Sequence, residues 1–488
     1  MWTAIKHRAG HFLPFLILLT FFCTPSGPVV VSPGPLRVHL SNPRYFTDNS
    51  GRAIYLTGLH TWANLQEFSD DSTKAFDYEG YLDLLQSHNL NFIRLWTWEN
   101  AAWASWAPDT AKARIGPAFR YRRTGPGPAL DGLPRFDVSR FNQAYFDRLR
   151  TRVAAANERG IYVMVMLFQG WSIERKGYRK GNSSYGNPWL GHPFHRENNI
   201  NGIDGDINGN GEGEEVHSLA SPEITRLQKA YIRKVVDTVN DLDNVLYEIS
   251  NESNKESTDW QYAMIDYVHE YENSKPCRHP VVMTFHYQGG KNEELFDSPA
   301  EAVSPNPGED NRYREDPPPA DGSKVIITDT DHLWGIGGNR VWVWKSFCRG
   351  LHPVFMDPLE PLFADPAERN RPEFPEWEEI RKNMGYTRSF ALRINLAAME
   401  PRGDLASSGY CLADTDSGKA EYLVYLPGGG PVEVDLSAGA GTMVAEWFDP
   451  TSGSTADIFS IEGGGPVSLS APFGGHAVLY IHTAPEAD

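Results

Sequence analysis

Two stretches of this 488-residue sequence run from apolar, β-branched residues into acids. The first, NVLYEISNE at 244–252, ends in Asn251 and Glu252; the second, KVIITDTDHLWG at 324–335, carries Asp329 and Asp331, followed by His332 and Trp334. Cleaving a glycosidic bond requires an acid that protonates the leaving oxygen and a second carboxylate that attacks the sugar or activates water. Glu252 suits the first task, with the Asn251 amide placed to bind a ring hydroxyl. Asp329 or Asp331 suits the second, and a strand persisting through both would turn them to the same side. Each assignment has a plain alternative: Glu252 as a buried structural carboxylate, and the aspartates as loop caps bonded to backbone amides.

Further polar and aromatic side chains follow other strand-like runs. Arg94 could keep a nucleophilic carboxylate ionised, because a neighbouring cation lowers its pKa. His60, Trp62, Gln169, Trp171, His286, Tyr287, His332, Trp334 and Asp357 all suit contacts with sugar hydroxyls or ring faces, and all could equally serve packing.

The elements that would carry these residues recur in a regular order. Eight short apolar runs, at 53–59, 91–96, 161–167, 245–250, 281–285, 300–304, 324–328 and 353–356, alternate with stretches of helical periodicity such as 78–87, 142–159 and 222–242. That alternation predicts parallel strands with crossover helices, and eight is the number that closes a (β/α)8 barrel of class α/β. Residues 36–49 read as a hairpin closing the barrel floor. Two long connections, 97–140 and 168–221, leave the carboxyl ends of strands two and three, where such barrels build substrate walls. A last helix is expected over 377–399, after which short strands and glycine turns predict an independent β-sandwich. The expected domains are a leader at 1–27, a barrel at 35–402 and the sandwich at 405–488.

Lys6 and Arg8 precede an apolar run ending at Cys23 and a small, turn-forming segment, the layout of a secretory signal peptide. Cleavage there predicts a secreted, extracellular or periplasmic protein with no membrane span; a lipidated Cys23 is the rival. Cys277, Cys348 and Cys411 then remain, too few and too odd in number for a disulfide framework. With 45 basic against 63 acidic side chains, the net charge of −18 and the lack of any basic run argue against nucleic acid and anionic membranes as partners. A carbohydrate is the expected partner, and the chain is expected to be a monomer that requires no cofactor. One acidic loop, DGDINGNGEGEE at 204–215, sets Asp204, Asp206, Asn208, Asn210 and Glu215 at EF-hand-like spacing around Gly209, so it is either a structural Ca2+ site or a flexible acidic loop.

At Asn251, Glu252 and the 324–335 segment the chain resembles the large clan of retaining glycosidases with cellulase-like and mannanase-like members. The resemblance implies an acid/base role for Glu252 and a nucleophile on strand seven. The clan's nucleophile is normally Glu; aligning the strand ending puts Asp329 in its place, one methylene shorter. Carboxyls about 5–5.5 Å apart retain configuration and carboxyls about 6.5–9.5 Å apart invert it, so both outcomes stay open. The C-terminal segment, with EWFDP at 446–450, looks like the small sandwich behind apiosidase-like barrels, a module labelled collagen-binding. The reading is a secreted glycoside hydrolase; the alternative is a non-catalytic carbohydrate- or matrix-binding protein on a barrel scaffold.

Overall fold

A computed structural model describes residues 33–67, 75–103, 115–116, 119–174, 186–287, 289–359, 374–416 and 418–484. The expected signal peptide, with Cys23, lies outside them. No helix among the described residues is long and apolar enough to cross a membrane.

Eight parallel strands close into a barrel in chain order: β1 (Gly58–His60), β2 (Phe92–Leu95), β3 (Tyr162–Gln169), β4 (Val245–Asn251), β5 (Val281–Thr284), β6 (Ala302–Ser304), β7 (Val325–Asp329) and β8 (His352–Met356). The period of two sorts each strand between two cores. On β4, Val245, Tyr247 and Ile249 face outward into the layer shared with the helices, while Leu246 joins Phe92, Met164, Val282, Val325 and Val354 inside the ring. Leu36, Phe46 and Leu56 plug that inner layer from below.

The helices obey the same logic. α1 (Tyr78–Ser87) starts where Asp77 accepts the Gly80 amide, and α3 (Pro222–Val239) starts at a Ser221 cap followed by proline. α3 buries Ile224, Leu227, Ile232, Val235, Val236 and Val239 on one face. α2 (Gln143–Asn157) and α4 (Thr258–Glu272) complete the regular side of the ring. On the other side the connections carry only short helices: α5 (Asn292–Phe296), α6 (Arg312–Glu315) and α7 (Thr330–Leu333). α8 (Arg340–Cys348) and α9 (Phe374–Arg393) then flank β8.

Three expectations are corrected. Residues 53–59 are not one strand: Arg37–Val38 and Phe46–Thr47 form the expected hairpin, and Ala53–Ile54 pairs with Phe46–Thr47 to make the floor a three-stranded sheet. The break comes where side chains take over the backbone donors, Leu56 N–H bonding His352 Nδ1 at 2.9 Å and Thr57 N–H bonding Asn91 Oδ1 at 3.1 Å. Gly58 then resumes the strand against the Phe92 carbonyl, where a Cβ would lie 1.7 Å from that oxygen.

The second concerns the C-terminal sandwich, which is not independent. Its six-stranded sheet runs Glu400–Pro401, Cys411–Asp414, Glu421–Leu426, Ala477–Thr483, Thr442–Asp449, Ser454–Glu462, with the Pro431–Asp435 and Pro466–Ser470 pair forming a second layer. One face of the larger sheet, through Tyr422, Val424, Ala445, Leu479 and Ile481, meets that pair. The other face, through Leu412, Leu423, Tyr425, Phe448 and Tyr480, packs on Trp344 and Phe347 of α8 and Phe390 of α9. Trp344 stacks on Tyr425 with ring centroids 5.9 Å apart. The first strand of the sheet also begins at Glu400, before the expected boundary.

The third is the parity argument for the two aspartates. β7 stops at Asp329, whose side chain caps α7 by accepting the Asp331 amide at 2.9 Å, so Asp331 belongs to a helical turn.

Candidate active site

One guanidinium organises the carboxyl end of the barrel. Arg94 on β2 is fully buried, and its donors divide among β4, the end of β7 and the first turn of α7. Nε and Nη2 clamp Glu248 on β4 at 2.7 and 2.5 Å; Nη2 also reaches Asn251 Oδ1 at 2.6 Å; Nη1 reaches Asp331 Oδ2 at 2.9 Å and Asp329 Oδ2 at 3.4 Å. A buried guanidinium needs such partners, because an unpaired one costs several kcal/mol of desolvation, about 3–5 kcal/mol by removal of one partner. Its pKa is raised: burial opposes the charge, and Glu248, Asp329 and Asp331 outweigh it.

Asp329 is held from the other side by His60 at the end of β1, Nε2 to Oδ1 at 2.8 Å. Trp96 fixes the tautomer. Its indole N–H can only donate, and it donates to His60 Nδ1 at 2.8 Å, so the ring's proton sits on Nε2 and points at Asp329. Burial works against ionising Asp329, but His60 and Arg94 prevail and hold its carboxyl well below the usual carboxylate range. Asp331 shifts the opposite way. Burial pushes it up, Arg94 pulls it down, and the charge on Asp329 adds to the rise. Three carboxylates share one cation, so the charge already held on Asp329 disfavours a second full charge on Asp331. Asp331 is also the more open of the two, its side chain 9% exposed against 1% for Asp329, and its Oδ1 takes no hydrogen bond from a described residue.

Asn251 is held on all sides. Its Oδ1 also accepts from His332 Nε2 at 3.2 Å, and its Nδ2 donates to Gln169 Oε1 at 2.9 Å. His332 Nδ1 lies 2.7 Å from Ser304 Oγ on β6, and burial with the nearby Arg94 charge keeps the ring neutral, its pKa well below the ordinary value. Glu252 follows in the left-handed region at φ +44°. The residue is nearly buried, and the Trp171 indole N–H donates to its Oε2. Trp171 meets Tyr287 edge-on at 5.2 Å. Trp62 and Trp171, both partly exposed, pack against Trp96, Trp98, Met166 and Met356, an apolar wall beside the acids.

The expected residues therefore separate into two groups. Arg94, His60, Gln169, Trp171, Asn251, Glu252, Asp329, Asp331 and His332 form one bonded network, with Trp62 and Tyr287 on its aromatic border. His286 lies outside it, near Thr258 and Glu294, at 3.3 and 3.4 Å. Trp334 packs edge-on against Trp342 at 5.3 Å. Asp357 gives both oxygens to Arg381 at 2.6 Å each, an ion pair between β8 and α9.

The acidic loop closes on itself. Asp204 Oδ1 accepts the Asp206 amide, Asp206 Oδ2 the Gly211 amide and Asn208 Oδ1 the Asn210 amide, while Asn208 and Asn210 both donate to Glu214. Burial raises the Glu215 pKa. Among the described residues no group of three or more His, Cys, Asp or Glu side chains is arranged to hold a metal ion. A cavity of about 1020 Å3 lies apart from the Arg94 network, against α5 and α6. Ile326 of β7 is among its lining residues, beside the short helices α5 and α6.

Solved structures share this architecture. A protein titled "Glycoside hydrolase" superposes with a TM-score of 0.60 at 14% identity, over 93% of this chain and 98% of its own. A glycoside hydrolase family 5 protein from Bacteroides vulgatus gives 0.60 at 14%, over 92% of this chain and 93% of its own. A second protein from that organism, titled a "putative glycoside hydrolase", gives 0.58 at 14%, over 92% and 82%. The fold is one that glycoside hydrolases use. Residues 117–286 match a family described as a domain of unknown function, DUF6298, and residues 404–478 match the "Putative collagen-binding domain of a collagenase". No curated protein matches.

Sequence reasoning missed several members of the site. Glu248 carried a signal, since an acid inside a buried parallel strand requires a partner. Glu99, Arg120 and His217 carried none: they sit in the two long connections, which have no periodicity to reveal which side chains turn inward. Those connections share a core of their own, in which Tyr121, Phe136 and Val138 meet Trp189, Phe194 and Val216.

Proposed function

We propose that this protein is a secreted enzyme that hydrolyses O-glycosidic bonds in a poly- or oligosaccharide. The observation that carries the reading is the shared guanidinium: Arg94 binds Asn251, the neighbour of Glu252, and Asp331 through its two terminal nitrogens, so acids from β4 and the end of β7 are drawn to one place. In this reading Glu252 gives its proton to the bridging oxygen as the bond to the anomeric carbon breaks, and Asp331 Oδ1 bonds that carbon. Water then attacks the same carbon, Glu252 recovers a proton from it, and the ester to Asp331 breaks. Asp331 is favoured over Asp329 because an attacking oxygen must be reachable, and Asp329 is closed in by His60, Arg94 and the Asp331 amide. Asp329 instead keeps His60 and Arg94 in place. The partly exposed indoles of Trp62 and Trp171 suit the apolar faces of sugar rings.

The C-terminal match supports a second reading, a non-catalytic protein that binds carbohydrate or matrix. One experiment separates the two. The purified protein is incubated with plant and microbial polysaccharides and the products are chromatographed; the enzyme releases sugars, and Glu252→Gln and Asp331→Asn abolish release while leaving binding. Saturable binding without product would favour the second reading.

A further inference from the structure

Glu252 occupies a backbone conformation that a non-glycine residue adopts only when its surroundings impose it, at a cost of about 1–3 kcal/mol. Its direct anchors are residues on either side. Asn251 is tied to Arg94, His332 and Gln169. Ser253 is tied through its carbonyl to the Tyr287 amide at 2.9 Å, and through Oγ to Ser250 Oγ at 2.6 Å and His217 Nδ1 at 2.9 Å. Gly170 lets the chain close behind Glu252, since a Cβ there would lie 2.3 Å from the Glu252 carbonyl oxygen.

Both sets of anchors lead to one carboxylate that the proposed mechanism does not use. Glu99 Oε1 accepts from His217 Nε2 at 3.0 Å and from the Gln169 backbone N–H at 2.9 Å. Gln169 Oε1 in turn receives Asn251 Nδ2 and, at 3.1 Å, the backbone N–H of Trp171, whose indole holds Glu252. His217 is fixed face-on to Trp260, with centroids 4.5 Å apart at 10°. Burial opposes a charge on Glu99, yet Arg120 and His217 outweigh it and hold the carboxyl well below its usual range. Arg120 reaches Glu99 Oε2 at 3.4 Å and spreads over the Tyr231 ring at 4.0 Å. The ends of β3 and β4 are thus bonded to one buried anion from the loop after β2.

We infer that Glu99 is a positioning residue for Glu252, acting on one side through His217 and Ser253 and on the other through Gln169, Asn251 and Trp171. The inference rests on the reading of Glu252 as proton donor. Glu99 and His217 touch no reacting atom; they fix where the donated proton stands, and proton donation is the step most sensitive to misplacement.

The test compares phenyl and 2,4-dinitrophenyl glycosides of the sugar released in the polysaccharide screen, because dinitrophenolate leaves without a proton and phenolate does not. General acid assistance is worth about 10²–10⁴-fold, and losing its alignment is expected to remove at least about tenfold of it. Glu99→Gln and His217→Ala should therefore lower kcat/KM, which reports the step in which the leaving group departs, at least about tenfold on the phenyl glycoside and less than about threefold on the dinitrophenyl glycoside. Equal losses on both substrates, or none, would overturn the inference. Should those variants fail to fold by circular dichroism, Ser253→Ala, which removes only one hydroxyl, decides on the same criterion. Glu252→Gln is run alongside: if it shows no preference for the dinitrophenyl leaving group, the proton-donor reading has failed; if it shows one and the others do not, only the positioning role has.

Discussion

The indole N–H of Trp96 donates to His60 Nδ1, and the opposite nitrogen of that imidazole donates to Asp329, each at 2.8 Å. A side chain with no charge of its own thereby decides which way a buried histidine presents its proton. Trp96→Phe leaves His60 Nδ1 buried with nothing to accept, and a lost hydrogen bond of this kind costs about 1–3 kcal/mol. Urea unfolding should register that loss, and an unchanged midpoint would mean that His60 turns over freely.

Arg94→Lys keeps the charge but removes the fork. An ammonium cannot clamp Glu248 while reaching Asn251 and Asp331, so one buried carboxylate is left without its partner, at about 3–5 kcal/mol. Expected outcomes are a large fall in denaturation midpoint and loss of glycan hydrolysis. Retained hydrolysis would show that the guanidinium geometry is dispensable.

The two aspartates should respond to pH with opposite signs. The Asp329 pKa is depressed, so its contribution to stability is present above the unfolded value of about 3.9 and lost as pH falls towards the folded value. The Asp331 pKa is raised, so its stabilising protonated state is complete below about 3.9 and disappears as pH rises through the folded value. At neutral pH, Asp329→Asn should lower the melting temperature and Asp331→Asn should raise it, and both differences should shrink below about pH 4. Melting curves from pH 3 to 7 give the result; shifts of the same sign would contradict the assignment.

Product stereochemistry reports on the nucleophile. With Asp331 attacking, proton NMR of the first product should show the anomeric configuration of the substrate, and added azide should restore turnover to Asp331→Gly as a glycosyl azide of the opposite configuration. An inverted first product would instead make Asp331 a base acting on water.

A chain ending at residue 399 should not yield a stable barrel. It would bare Trp344, Phe347 and Phe390, which now lie under Tyr425, Phe448 and Tyr480. Light scattering and circular dichroism should show aggregation, whereas a monomeric, cooperatively melting fragment would contradict the shared core.

The barrel was legible in the sequence because buried parallel strands and amphipathic helices leave strong periodic traces, and the run into Asn251 and Glu252 stands out against them. The break at 54–58 was not, since it arises from His352 and Asn91, whose side chains arrive from distant segments to take backbone donors. Nor could alternation place Asp331, because the strand ended two residues earlier in a cap that Asp329 itself supplies. Asp357 looked open as a strand-end acid, and only tertiary packing brings Arg381 against it. Glu99 and His217 meet across 118 positions of chain, a separation no local pattern encodes.

The sheet formed by residues 400–483 is clasped on one side by its own second layer and on the other by α8 and α9. Such a module has no hinge. Whatever surface its outer strand, Ser454–Glu462, encounters is therefore met at a bearing fixed relative to the barrel mouth, as by a single tool rather than a hand on a tether.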